Sequence, residues 1–165
     1  MRDAATVAGQ PRALKPASPG GFAAWVRRLV GRAPPAAEIV ALPEIRLGDK
    51  LEIIWRFAYG AREVTNVSVA LVGSEIARER ISARTGISTV TDRHDFATLA
   101  IDRKMPEPHA RATEGRGAVV VPPGSVPSVA GKLNEISWAI VVEAAYQDRP
   151  IWRGEFPVVV LPRSP

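Results

Sequence analysis

The sequence contains no cysteine, few aromatic residues and no long apolar run. Without cysteine there are no disulfides, no thiolate nucleophiles and no Cys-ligated zinc. The longest strongly apolar stretches, such as Ile136–Tyr146, are interrupted by charge and are shorter than the roughly 20 residues that a spanning helix needs. The first twenty residues lack the continuous apolar core of a secretory signal. We therefore expect a cytoplasmic protein that does not cross a membrane.

Motifs that carry catalysis are also missing from the sequence. There is no glycine-rich phosphate loop and no His-Glu-x-x-His pattern. Ser125 and Ser128 lack the Gly-x-Ser-x-Gly context of a nucleophile and are interpreted as part of a proline-fixed turn. Asp92 and His94 would supply two metal ligands on one strand face, which is fewer than a closed site requires. We expect no enzymatic activity and no cofactor or metal.

The positive charge is concentrated near the start of the chain. The whole sequence has a formal charge of +5, and residues 1–42 carry six basic and two acidic side chains. The other 123 residues carry 16 basic and 15 acidic side chains and are close to neutral. Because nucleic-acid binding needs clustered cations on the folded surface, we expect no nucleic-acid partner.

Residues 1–42 are predicted to form a flexible basic tail that contains one short amphipathic helix at about residues 22–31. Prolines and glycines without hydrophobic periodicity indicate disorder in the first 21 residues. The helix is too short to be stable alone, so it would lie on a membrane interface with its arginines near anionic lipid, or dock on a partner or on its own domain; an unstructured linker is the third alternative. The candidate contact residues are Phe22, Trp25, Arg27, Arg28, Leu29 and Arg32.

Residues 43–165 are predicted to form one β-sandwich domain. From Leu47 onward, apolar residues alternate with polar ones and the runs are bounded by Gly, Pro, Asn and Asp, which is typical of strands. Roughly eight strands without helical pattern between them favour a single antiparallel, immunoglobulin- or arrestin-like sandwich in an all-β protein. The pattern predicts a strand break at Gly73-Ser74 and a long loop from Asp102 to Gly117. Trp55 and Trp138 are predicted to be core residues.

Four segments resemble the arrestin-like β-sandwich family. A Pro-Ser loop, Val121–Gly131, precedes a strand of the form Ile-x-Trp-x-apolar-x-Val, Ile136–Val142, and the Phe-Pro strand Phe156–Val158 closes the sheet. Leu71–Glu75 is similar to the Leu-x-Gly-x-Glu end of an earlier strand in the same fold. The resemblance covers about 120 residues. Among bacterial members of the family, the chain resembles the sporulation-control type.

The resemblance implies a non-catalytic adaptor or scaffold. Arrestin-like proteins commonly pair two sandwiches, whereas this chain has room for one, and it lacks the Lys-Lys pair of phosphate-sensing arrestins. We expect an unidentified protein partner, bound through sheet edges or loops. The alternative is a peripheral membrane-associated accessory subunit, anchored to an anionic membrane surface by Phe22–Arg32.

Overall fold

The computed structural model describes residues 10–17, 35–60, 63–83 and 86–163, and all regular structure within them is β-strand. This confirms the all-β prediction, whereas the predicted helix at residues 22–31 lies outside the described residues. None of the described segments includes a helix long and apolar enough to span a membrane. The ten strands are β1 (Arg12–Leu14), β2 (Ala36–Ala41), β3 (Glu44–Arg46), β4 (Lys50–Ala58), β5 (Val64–Ala83), β6 (Gly86–Lys104), β7 (Ala112–Val120), β8 (Val129–Ala130), β9 (Asn134–Tyr146) and β10 (Trp152–Leu161).

The strands form two sheets. One has the order β1-β2-β4-β7, and the other has the order β3-β10-β9-β5-β6, with β8 paired to β9. All pairs are antiparallel except β10 with β3, which are parallel, so the prediction of a purely antiparallel fold is wrong at this place. The chain passes from the first sheet to the second at Pro43, which has no N–H with which to continue β2. The alternation of side chains identifies a strand but not the direction of its neighbour.

Apolar side chains from both sheets pack in one hydrophobic core. In β4 every second residue is buried, because alternate side chains of a strand point to opposite faces. Trp55 and Trp138 are each 1% exposed, which confirms both as core residues. The other largest buried side chains are Phe57, Phe156, Ile39, Leu51, Ile53, Leu71 and Ile140.

The two sheets are joined through the side chains of β4. The Trp55 indole Nε1–H donates to Asp102 Oδ2 of β6 at 3.0 Å, and the ring of Phe57 lies 4.8 Å from that of Trp152 in β10. On β7, a side chain at Gly115 would meet Asp102 and the Trp55 ring. Glycine is therefore required here for close approach. The loop predicted from Asp102 to Gly117 is confined to residues 105–111, since β6 continues to Lys104 and β7 begins at Ala112.

The β5 strand runs without interruption through the predicted break at Gly73-Ser74. On β6 one extra residue, Phe96, lies between the partners of Gly73 and Ser74, which makes a β-bulge. A Cβ at Gly73 would lie 2.7 Å from Phe96 Cζ and 3.0 Å from Trp138 Cη2. The glycine marks close packing of two rings against the strand, and not a turn.

Part of the segment predicted to be a tail belongs to the sheets. Strand β2 pairs with β4 along its whole length, and Ile39 is 1% exposed. Further upstream, β1 pairs with β2, and the Ala17 N–H donates to the Glu155 carbonyl at 2.8 Å. At least residues 36–41 therefore contribute core and ladder contacts from the N-terminal side of residue 43.

The first prediction tests this contribution of β2. Ile39→Ala should lower the free energy of unfolding by about 2–5 kcal/mol, because it leaves a cavity in the core. The neighbouring Val40 points to the other face and is 37% exposed, so Val40→Ala should cost less than about 1 kcal/mol. Denaturant unfolding monitored by tryptophan fluorescence measures both free energies; a loss below about 1 kcal/mol for Ile39→Ala would show that β2 does not contribute to the core.

Candidate functional site

A two-stranded arm extends from the second sheet. The pairing of β9 with β5 ends at Ala77, whereas β5 and β6 remain paired to their connection at Ala83 and Gly86. Beyond Ala77 the ribbon has lost its third strand. We call residues 78–91 the arm. A two-stranded ribbon is only marginally stable in water by itself, so the stability of the arm depends on the contacts at its base.

A group of charged side chains lies at the base of the arm. The Arg93 guanidinium donates to both carboxylate oxygens of Glu155 at 3.0 Å and to Asp95 Oδ1 at 3.1 Å. Arg153 donates to Glu155 at 3.0 Å and to Glu143 at 2.8 Å. We call these five side chains the ionic cluster. They come from β6, β9 and β10 and hold three strands together.

A buried serine completes the cluster. Ser74 is 1% exposed and is the one buried polar residue among those the structure describes. Its hydroxyl donates to Asp95 Oδ1 at 2.6 Å and accepts from Arg93 Nη2 at 2.9 Å. Since both capacities of the hydroxyl are used, its burial carries no unsatisfied-group cost.

The electrostatics of the cluster favour its charged form. The hydrogen bond from Ser74 lowers the pKa of Asp95, and Arg93 and Arg153 lower it further against the effect of burial. Burial raises the pKa of Glu155, but hydrogen bonds from Arg93 and Arg153 outweigh this effect and the net pKa is lowered. Burial lowers the pKa of Arg93, yet Glu155 and Asp95 bring it above its ordinary value. The cluster is a stable set of ion pairs around neutral pH.

A cavity of about 480 Å³ lies at the opposite end of β5. Within the described ranges the buried Tyr59 hydroxyl makes no hydrogen bond, and burial raises the pKa of this tyrosine. His109, in the loop that forms one wall, has a φ of 63°, which is uncommon for a residue with a side chain. The wall carries acidic and basic groups together, Glu63, Glu107, His109 and Arg111, and so defines no single class of ligand.

The predicted contact residues on the amphipathic helix, Phe22 to Arg32, belong to residues 18–34, which the structure does not describe. Asp92 and His94 lie exposed near the base of the arm, and the described part of the chain contains no group of three His, Cys, Asp or Glu side chains that would hold a metal. Ser128 bonds to Val160 through both its hydroxyl and its N–H, so it fixes the loop beside β10.

The ionic cluster was not predicted from the sequence. Arg93 and Asp95 stand in the segment that was considered for metal binding, whereas their partner Glu155 is 62 residues from Arg93. A signal that would have found the cluster is the position of Arg153 and Glu155 two residues apart in the same strand, with Arg153 opposite Glu143. Opposite charges on one face of paired strands stabilise each other.

The fold is similar to a solved structure. The crystal structure of Spo0M, a sporulation control protein from Bacillus subtilis, matches with a TM-score of 0.52 and 11% identity, covering 78% of this chain and 50% of that one. The chain therefore has an arrestin-like fold, as the resemblance of its strands predicted. It spans about half the length of that protein. No family model and no curated protein matches the sequence.

The second prediction concerns acid. Because the pKa values of Asp95 and Glu155 are lowered in the folded state, they stabilise the protein above the unfolded pKa, and this stability is lost as the pH falls through the folded values. The free energy of unfolding should be nearly constant above about pH 5 and fall below about pH 4.

The matched variant Asp95→Asn with Glu155→Gln removes these two carboxylates without changing their size. It should be less stable than the wild type at neutral pH, and its stability should depend less on acid. Urea unfolding at a series of pH values measures both curves. Parallel curves would show that these carboxylates do not stabilise the folded state.

Proposed function

We propose that the protein is a non-catalytic interaction module, an adaptor or scaffold that binds another protein through the arm. The observation that carries the proposal is the extension of β5 and β6 beyond Ala77, where the third strand ends. An exposed strand edge presents unpaired N–H and C=O groups to which another chain adds. The similarity to a sporulation control protein is compatible with a regulatory role.

The arrangement of the two sheets supports a rigid scaffold. In our proposal they face each other as a sandwich, with the Trp55–Asp102 hydrogen bond and the Phe57–Trp152 contact crossing between them. The buried apolar core and the ion pairs at the base of the arm hold the arm in a fixed direction relative to the sheets. A pre-oriented edge binds with less ordering cost than a flexible one.

We place this function in the cytoplasm, with a protein partner and no nucleic acid. The ionic cluster carries two arginines and three carboxylates, all engaged with one another. Phosphate contacts need unpaired Lys or Arg side chains that displace the counterions condensed on a nucleic acid, and arginines already bonded to carboxylates are not free to do so. The cluster therefore suits a structural role better than binding to a polyanion.

The third prediction tests the arm as the interaction surface. A variant in which residues 79–90 are replaced by an Asn-Gly turn keeps the paired positions 78 and 91 and closes the ribbon early. Tagged full-length protein, expressed in its source organism and cross-linked, should recover its partner, and the shortened variant should recover at least about tenfold less.

The matched control changes the opposite end of the molecule. Glu107→Gln and His109→Ala, in the loop beside the 480 Å³ cavity, should leave recovery unchanged. Both variants need the melting temperature of the wild type for the comparison to hold. Full recovery by the shortened variant, or equal loss in the control, would contradict a role of the arm.

The alternative function is peripheral membrane attachment through Phe22–Arg32, which the helical spacing of its apolar residues favours. The fourth prediction distinguishes membrane attachment from protein binding through the arm. If the segment binds membranes, flotation with anionic vesicles should be weakened by Trp25→Ala at every salt concentration, and by Arg27→Ala with Arg28→Ala mainly at low salt. An absence of flotation by the wild type removes this alternative.

A further inference from the structure

The strand position beside the arm is vacant among the residues that the structure describes. The last contact on this side is the Arg78 N–H, which donates to the Leu133 carbonyl at 2.7 Å. In an antiparallel pair alternate residues direct their N–H and C=O groups to the same neighbour. The backbone groups of Arg80 and Ser82 therefore face the side on which β9 has ended. We call this position the vacant lane; it is about 20 Å long for six residues of β5.

A groove of about 950 Å³ lies at this place. One side is the arm and the other is the turn before β9, where Leu133 is 56% exposed. The lining contains three basic side chains, Arg78, Arg80 and Lys132, two acidic ones, Glu79 and Asp92, and the exposed apolar side chains of Val90 and Leu133. An extended segment in the lane would lie between the arm and this turn, and would cover exposed apolar surface at Leu133.

The charges on one face of the lane favour an acidic segment, since Arg78 and Arg80 lie on that face of β5 whereas Glu79 and Asp92 lie on the other. Within β9, Glu135 lies opposite Ile76 and bonds to Arg78 of β5 at 2.6 Å. Arg80 is on the same face two residues further, is exposed, and forms no ion pair with any described residue. An acidic side chain in the lane would meet Arg80 as Glu135 meets Arg78, because opposite charges on neighbouring strands attract across one face.

We propose that the vacant lane receives an extended segment of a partner protein, which adds to β5 in line with β9 and carries acidic residues on the face of Arg78 and Arg80. This inference rests on the proposed interaction function and names its surface and the chemistry of its partner. Affinity comes from main-chain hydrogen bonds to Arg80 and Ser82, and selectivity comes from the charge at Arg80 and from an apolar residue beside Leu133.

The outer edge of β6 is a poorer place for an added strand. Two register shifts interrupt its ladder with β5, with the extra residues Phe96 and Ile101. Bulges bend an edge and prevent continuous pairing, and charged side chains such as Asp92 and Arg93 protect it further. Between Arg78 and Ala83, β5 contains no register shift.

Fluorescence anisotropy with the full chain tests the proposal. The probe is a labelled peptide of about ten residues that alternates valine and glutamate, a length typical of one strand. It should bind to the wild-type protein, and Arg80→Glu should weaken this binding at least about tenfold. The same peptide with lysine in place of glutamate should not bind.

Two further variants separate pairing from charge. Ser82→Pro removes an N–H that faces the lane, leaves the ladder with β6 intact, and should weaken binding at least about tenfold. Glu107→Gln, in the loop at the opposite end of β5, should leave the affinity within about twofold. Near-ultraviolet circular dichroism and the melting temperature establish folding, and Arg80→Glu decides the question if Ser82→Pro does not fold.

The proposal is overturned if the glutamate peptide does not bind, if the lysine peptide binds equally, or if Arg80→Glu has no effect. Recovery of the partner by the variant with the shortened arm is an independent measurement. Loss of capture together with a negative peptide result would keep the interaction function and reject the lane as its surface. Retained capture with the shortened arm would reject the interaction function of the arm itself.

Discussion

The packing of Trp138 and Phe96 over Gly73 is the contact on which the architecture of the second sheet depends. The two rings meet edge to face with centroids 5.5 Å apart, and the Trp138 indole N–H donates to the Val126 carbonyl at 2.9 Å. Phe96 reaches this position because it is the extra residue of the bulge on β6. The bulge brings Asp95 opposite Ser74 and so creates the centre of the ionic cluster. The core and the base of the arm are thus parts of one local arrangement.

Much of the fold follows from alternation of side chains, and two of the errors concern segments in which glycine allows close packing. The patterns around Trp55 and Trp138 correctly predict buried strands because one face of each is apolar. The prediction of a break at Gly73 rests on the frequency of glycine in turns, and the prediction of a loop around Gly115 rests on a polar segment that contains Pro106 and Pro108. In the structure both lie in strands where a ring occupies the space of the missing side chain. A sequence alone does not distinguish a glycine needed for close packing from a glycine needed for a turn.

The candidate site was less accessible to sequence reasoning than the core. Ser74 pairs with Asp95 across 21 positions, and Arg93 with Glu155 across 62. Such contacts depend on the register of four strands, and a shift of one residue would send every side chain to the other face. The arm depends likewise on the place where β9 ends relative to β5. A periodic pattern records which face is buried, but it does not record where a neighbouring strand stops.

The hydrogen bond from Ala17 to Glu155 also connects the two sheets through the main chain. Residues 12–14 pair with β2 in the first sheet, whereas the N–H of residue 17 donates to β10 in the second. The chain therefore joins the sheets twice on the N-terminal side of β4, once between residues 14 and 17 and once at Pro43. Separation of the sheets would have to break the Ala17–Glu155 hydrogen bond as well as the contacts of the core.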